Sequence, residues 1–149
     1  MSFLSDPRWS DALAPCRIFD AVPLPRAAQR LPAPVLRRLA GRYGEQAQAL
    51  LDAAGATELE TIPGTETLWA ELRWAARAEA VAQLDDLLLR RTRIGLLLRG
   101  GGEEHLARIR AICQPELDWP DARWEEEARA YARLWQTHYS LPAAEQASA

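Results

Sequence analysis

Lysine is absent: all 18 basic residues of this 149-residue chain are arginine, set against 21 acids for a net charge of −3. A phosphate loop that reaches nucleotide phosphates with a lysine is therefore excluded. The slightly acidic balance exerts no global pull on nucleic acid, so no nucleic-acid partner is expected. An arginine-only, alanine-rich composition reads most simply as codon bias in a GC-rich genome. Cysteine is scarce, and Cys16 and Cys113 lie far apart at no metal-ligand spacing. Long hydrophobic runs are missing too. The longest candidate, Ile94-Gly-Leu-Leu-Leu98, falls far short of the roughly 20 apolar residues of a membrane-spanning helix. The N-terminus, Met1-Ser-Phe-Leu-Ser-Asp6-Pro7, turns polar at once, unlike a secretory leader. The expected setting is cytoplasmic, with both thiols reduced and no direct membrane span.

What is present is proline at one end and helical periodicity after it. Pro7, Pro15, Pro23, Pro25, Pro32 and Pro34 crowd the first 34 residues, where six of the ten prolines fall. Proline removes a backbone donor and holds its predecessor extended, so this segment cannot carry a long helix. Residues 1–31 read as a proline-rich arm or linker, with at most a short turn over residues 6–13. Its Trp9, Ile18 and Phe19 favour an arm docked on a surface over a free tail.

From Pro34, the residues Val35, Leu36, Leu39 and Tyr43 recur at helical spacing up to Gly44. A second helix over 45–54 stops at Gly55, and Ile62-Pro63-Gly64-Thr65 marks a turn. Residues 67–93 form the next helical run, with one expected break near Ala80. Arg99-Gly100-Gly101-Gly102 reads as a flexible loop. Glu103 and Glu104 open a helix carried by Leu106, Ile109 and Ile112 and ended by Pro115. A last helix starts near Pro120 and carries Trp124, Tyr131 and Trp135. No useful strand pattern appears. The expected fold is all-α, a compact bundle of about five or six short helices. Its helical domain covers residues 32–141, with a flexible tail at 142–149.

Catalytic constellations are hard to assemble. The triple glycine lacks the preceding strand and the spacing of a dinucleotide fingerprint. His105 and His138 have no partner at metal-binding spacing, so each reads as a solvated or capping histidine. Cys113 comes after Ile109 and Ile112 and reads as a small buried hydrophobe. There is no G-x-S-x-G nucleophile elbow. Consecutive acids such as Asp85-Asp86 and Glu125-Glu126-Glu127 point about 100° apart on a helix, which suits a solvated face rather than an acid/base pair. Trp69, Trp74, Trp124 and Trp135 read as bulky packing residues opposite alanines.

The run 71–93 carries charge in an ordered way. Asp86 and Arg90 are four apart with the acid first, the favoured orientation for a helical ion pair. Glu104 with Arg108 and Glu125 with Arg129 repeat that spacing. Arg90, Arg91 and Arg93 crowd a helix C-terminus and need acceptors, for which Glu79, Asp85 and Asp86 are nearest. With Arg77 these residues form a candidate ion-pair network, either structural or interdomain. A solvated basic helix end is the competing reading.

The same residues carry a family resemblance. Glu71-Leu72, Arg77-Ala78-Glu79 and Leu84-Asp85-Asp86-Leu87-Leu88-Leu89-Arg90-Arg91-Thr92-Arg93 resemble the C-terminal helical domain of FAD-dependent glycerol-3-phosphate dehydrogenases and the related α-glycerophosphate oxidases. Leu31-Pro32, Tyr43-Gly44, Leu117-Asp118-Trp119, Asp121-Ala122-Arg123, Glu127 and Tyr131 extend the likeness over about residues 31–140. Asp118, Pro120 and Gln83 depart from the family's usual residues at helix starts.

The resemblance implies a non-catalytic part of an enzyme, with packing and interdomain roles. The parent would oxidise glycerol 3-phosphate to dihydroxyacetone phosphate through FAD, passing electrons to a quinone or to oxygen. It would be cytoplasmic or peripheral on the cytoplasmic face of the inner membrane. No cofactor is expected in this chain, since the flavin and catalytic groups belong to the missing flavin- and substrate-binding portion, the implied partner. A free-standing helical interaction module of the same fold is the alternative.

Overall fold

The computed structural model describes residues 31–140. The expected arm (Leu31 apart), its turn at 6–13, Cys16 and the tail at 142–149 lie outside the described residues. Those described are all-α: helices with one isolated bridge, Thr61 to Leu68, and no strand. They divide into two units, 31–49 and 50–140.

In the first unit α1 spans Ala33–Tyr43. Pro34 sits in its first turn, where a missing N–H costs nothing, and Gly44 closes it by donating to the Ala40 carbonyl at 2.8 Å. Leu39 and Tyr43 are buried, as is Ala47 on α2, Gln46–Ala53.

The second unit holds α3 (Trp69–Ala78), a π-helical turn (Asp86–Arg91), α4 (Ile94–Leu97), a 3-10 segment (Arg99–His105), α5 (Leu106–Leu117) and α6 (Asp121–His138). The start of α3 is fully capped. Trp69 and Ala70 donate to the Glu60 and Glu58 carbonyls at 3.1 and 2.8 Å. The buried Glu71 carboxylate reaches back to the Leu68 N–H at 2.9 Å. Those contacts satisfy donors that a helix otherwise leaves orphaned. The core gathers Trp69, Leu72, Leu87, Leu88, Ile94, Ile109, Trp124 and Tyr131 from every one of these elements except the 3-10 segment. Each such large side chain contributes roughly 1.5–3 kcal/mol on leaving water.

The break expected near Ala80 is present, with Ala80 itself at φ 51. Beyond the break the chain winds into a π turn rather than ordinary α-helix. Leu87, Leu88 and Leu89 are all buried. At about 100° per residue an α-helix would spread three such neighbours over more than half its circumference, and the wider turn narrows that spread. Thr92 closes it, donating both its N–H and its hydroxyl to the Leu87 carbonyl, at 3.0 and 2.7 Å. Arg93 then reverses the chain at φ 61, a conformation that costs a non-glycine residue roughly 1–2 kcal/mol.

Three expectations are corrected. Pro115 lies inside α5, which continues to Leu117. The helix closes only beyond it, with Asp118 at φ 50 and Trp119 donating to the Gln114 carbonyl at 3.3 Å. Glu103 and Glu104 belong to the 3-10 segment, not to the start of α5. The triple glycine is not a loose loop: Gly100, Gly101 and Gly102 all take left-handed φ, at 59°, 69° and 83°, and the last two are buried.

Candidate functional site

The expected network is divided between two separate clusters, besides isolated pairs such as Arg110 with Asp121 at 2.8 Å. On α3, the Arg73 guanidinium forks onto Glu58 at 2.6 and 2.7 Å, and its third nitrogen bonds Glu116 on α5. Arg77 forks onto the same Glu116 at 2.8 and 3.0 Å. Paired planar forks of this kind fix orientation as well as contributing charge. Hydrogen bonds from Arg73 hold the Glu58 carboxyl below its usual pKa, those from Arg77 and Arg73 do the same for Glu116, and Arg73 is raised in turn.

At the π turn, Arg90 bonds Asp85 at 2.6 Å and Asp86 at 2.7 Å. Asp86 also accepts the N–H groups of Gln83 and Ala82, at 3.0 and 3.2 Å. Burial opposes its charge, but those donors and Arg90 prevail and lower its pKa. The sequence-predicted residues are thus divided. Asp85, Asp86 and Arg90 meet one another, and Arg77 turns to Glu116 across α5. Glu79 closes α3 through its N–H to Ala75, and Arg91 and Arg93 are exposed.

Arg73, Glu58 and Glu116 were missed by sequence reasoning. Helical spacing finds partners three or four residues away, whereas these lie 15 and 43 residues apart. The expected Glu104 to Arg108 pair is also redirected. Arg108 lies 4.3 Å over the Trp69 ring and donates to the Thr57 carbonyl at 3.0 Å. His105 is neither solvated nor a side-chain cap: it is half-buried, its ring edge-on to Trp69 at 5.6 Å. Its Nε2 stands 3.4 Å from Glu104 without hydrogen-bond geometry. Glu127 leaves the solvated acidic face by accepting the Leu84 N–H at 2.9 Å.

A second constellation is built from glycines. Tyr131 on α6 donates its hydroxyl to the Gly101 carbonyl at 2.7 Å, and Trp135 donates its indole N–H to the Gly95 carbonyl at 2.9 Å. A Cβ on Gly95 would collide with the Tyr131 hydroxyl and lie 2.9 Å from Leu89, and one on Gly101 would lie 2.6 Å from the Trp135 ring. The middle glycine of the run therefore lies against the aromatic side chains of α6. The run has no preceding strand, so it does not fit a dinucleotide cradle. Cys113 is fully buried and burial pushes its thiol pKa up, the reverse of an activated nucleophile. Among the described residues no group of three His, Cys, Asp or Glu could hold a metal, and no helix is long and apolar enough to cross a membrane.

Residues 18–124 match the family model described as the C-terminal domain of alpha-glycerophosphate oxidase. The chain belongs to this family. No curated protein and no solved structure matches it. In this glycerophosphate-oxidase C-terminal domain, both charge clusters and both glycines of the α6 contact fall inside the matched span, whereas Tyr131 and Trp135 lie beyond it. Three large apolar residues among those described are exposed, Tyr139 at 48% being one. Leu96 and Leu97 on α4 are 51% and 63% exposed.

Proposed function

We propose that this chain is the non-catalytic helical C-terminal domain of an FAD-dependent glycerol-3-phosphate dehydrogenase or oxidase, serving packing and interdomain contacts. The parent reaction is oxidation of glycerol 3-phosphate to dihydroxyacetone phosphate, with electrons passed to a quinone. The family match over residues 18–124 carries this reading. The chemistry of the described side chains supports it, because the charged groups of both clusters are held in capping, ion pairing and backbone contacts. FAD belongs to the flavin- and substrate-binding partner, and residues 32–141 form the helical domain. The residues Arg77, Glu79, Asp85, Asp86, Arg90, Arg91 and Arg93 act in structure and in interdomain contact rather than in catalysis.

The test is direct. The purified chain is mixed with FAD and glycerol 3-phosphate, and flavin absorbance and dye reduction are followed. No retained flavin and no turnover are expected; a stable yellow complex that oxidises the substrate would sink the reading.

A further inference from the structure

We propose that the π turn is a two-register latch: the Arg90 bond to Asp85 and the double bond of Thr92 to Leu87 select its π register, and releasing them lets Asp86–Arg91 slip into the α register. The inference is independent of the interdomain reading above.

Helix geometry separates the two registers. On an α-helix, residues four apart stand about 40° round the axis from one another, and residues five apart about 140°. A π turn bonds each N–H to the carbonyl five residues back and so brings residues five apart into line. One Arg90 nitrogen donates to Asp86, four back, at 2.7 Å and to Asp85, five back, at 2.6 Å. The first bond suits either register; the second suits only the π turn. Thr92 repeats the five-residue step, donating both its N–H and its hydroxyl to the Leu87 carbonyl. Contacts at the two ends of the turn therefore pick out the same register.

The leucines by themselves permit both. Leu84, Leu87 and Leu88 share one face of an α-helix at the spacing of a core stripe, and all three are 0% exposed. The α register would turn only Leu89 outward, the least buried of the four at 8%, and bring Arg91 onto the line of Leu84. The backbone itself prefers the α register, since π turns are rare. The polar contacts are what hold it off. Slippage would leave the buried Asp85 carboxylate without Arg90 and the buried Leu87 carbonyl without the Thr92 hydroxyl, and unpartnered buried polar groups are costly. The latch has one end inside and one outside. Thr92 is 2% exposed, whereas the Arg90 side chain is 58% exposed, so it opens from Arg90.

The full chain, deuterated and labelled with NMR-active nitrogen and carbon, is followed through the coupling that crosses the hydrogen bond from the residue 92 nitrogen to its accepting carbonyl carbon. Wild type should couple to Leu87. R90M/T92V should lose that coupling and gain one to Leu88, the four-residue bond of an α-helix, and R90M alone should show both. D86A removes the arm common to the two registers and should keep the Leu87 coupling alone, although it also frees the N–H groups of Ala82 and Gln83. Circular dichroism identifies any variant that fails to fold, and R90M, changed at an exposed side chain, carries the test if R90M/T92V does. A folded R90M/T92V that keeps only the Leu87 coupling would overturn the proposal and assign the register to burial of Leu89. Loss of both couplings would overturn it too, because the contacts would then prevent fraying rather than choose a register. A shift in D86A as large as that in R90M would do the same, since the five-residue step would carry no special weight.

Discussion

Two seams in the second unit join helices by different means. Between α3 and α5 the join is ionic: Glu58, Arg73, Glu116 and Arg77 share charge through paired forks at the edge of the core. Between α6 and the α4 to Gly102 segment the join is neutral and close-packed, with Tyr131 and Trp135 donating to two glycine carbonyls. The first depends on solvent conditions, because partly exposed ion pairs are screened by salt and titrate with pH. The second depends on shape, because its donors carry no charge near neutrality and burial raises the Tyr131 pKa further.

The largest effect should come from filling the neutral seam. Gly95→Ala places a Cβ against the Tyr131 hydroxyl, Leu89 and the Leu88 carbonyl. It should destabilise the chain by about 3 kcal/mol on thermal or denaturant unfolding, the upper end for overpacking. Next, Tyr131→Phe keeps the ring but leaves the buried Gly101 carbonyl without its donor, for a loss of about 1–2 kcal/mol. An unchanged midpoint would show that water takes the hydroxyl's place.

Smaller still, Glu116→Gln removes the carboxylate shared by Arg73 and Arg77. Their partial exposure holds the expected loss to about 1 kcal/mol, and the loss should shrink in high salt while that of Tyr131→Phe does not. The lowered Glu58 and Glu116 values set the sign with pH. Their contribution is fully present above the ordinary carboxylate pKa of 4.5 and is lost as pH falls through the folded-state values below it. Acid unfolding curves of wild type and Glu116→Gln should therefore converge at low pH. At the bottom of the order, Arg90→Ala should lower the denaturation midpoint slightly more than Arg99→Ala, since Arg90 alone of the two bonds Asp85 and Asp86. Equal midpoints would mean that the π-turn pair is screened away.

The two seams were legible in the sequence to different degrees. Helix boundaries set by local chemistry were readable: Gly44 after α1, the break at Ala80, and Pro120 before α6. The Asp86 to Arg90 contact was readable because both residues lie on one turn. The Glu58, Arg73 and Glu116 cluster was not, since its partners meet only once α3 and α5 pack. The glycine run misled because glycine marks flexibility and close approach with the same residue. Only Tyr131 and Trp135, some 30 to 40 residues later, distinguish the two. The π turn was hidden for another reason: a run of leucines reads as buried in either register.

The neutral seam also constrains the order in which substitutions can accumulate. Any replacement of Gly95 or Gly101 adds a Cβ, and every such Cβ meets an aromatic residue of α6. Tyr131→Phe removes the hydroxyl atom nearest the carbon added at Gly95, whereas the carbon added at Gly101 meets the Trp135 ring first. A lineage that changed Tyr131 first would find Gly95→Ala less damaging than one that tried the steps in reverse, a non-additivity expected of residues in contact. The history of this domain would then be readable at Gly95 and Tyr131 as a pair, with loss of the hydroxyl easing the replacement of the glycine while Leu89 and the Leu88 carbonyl still oppose it.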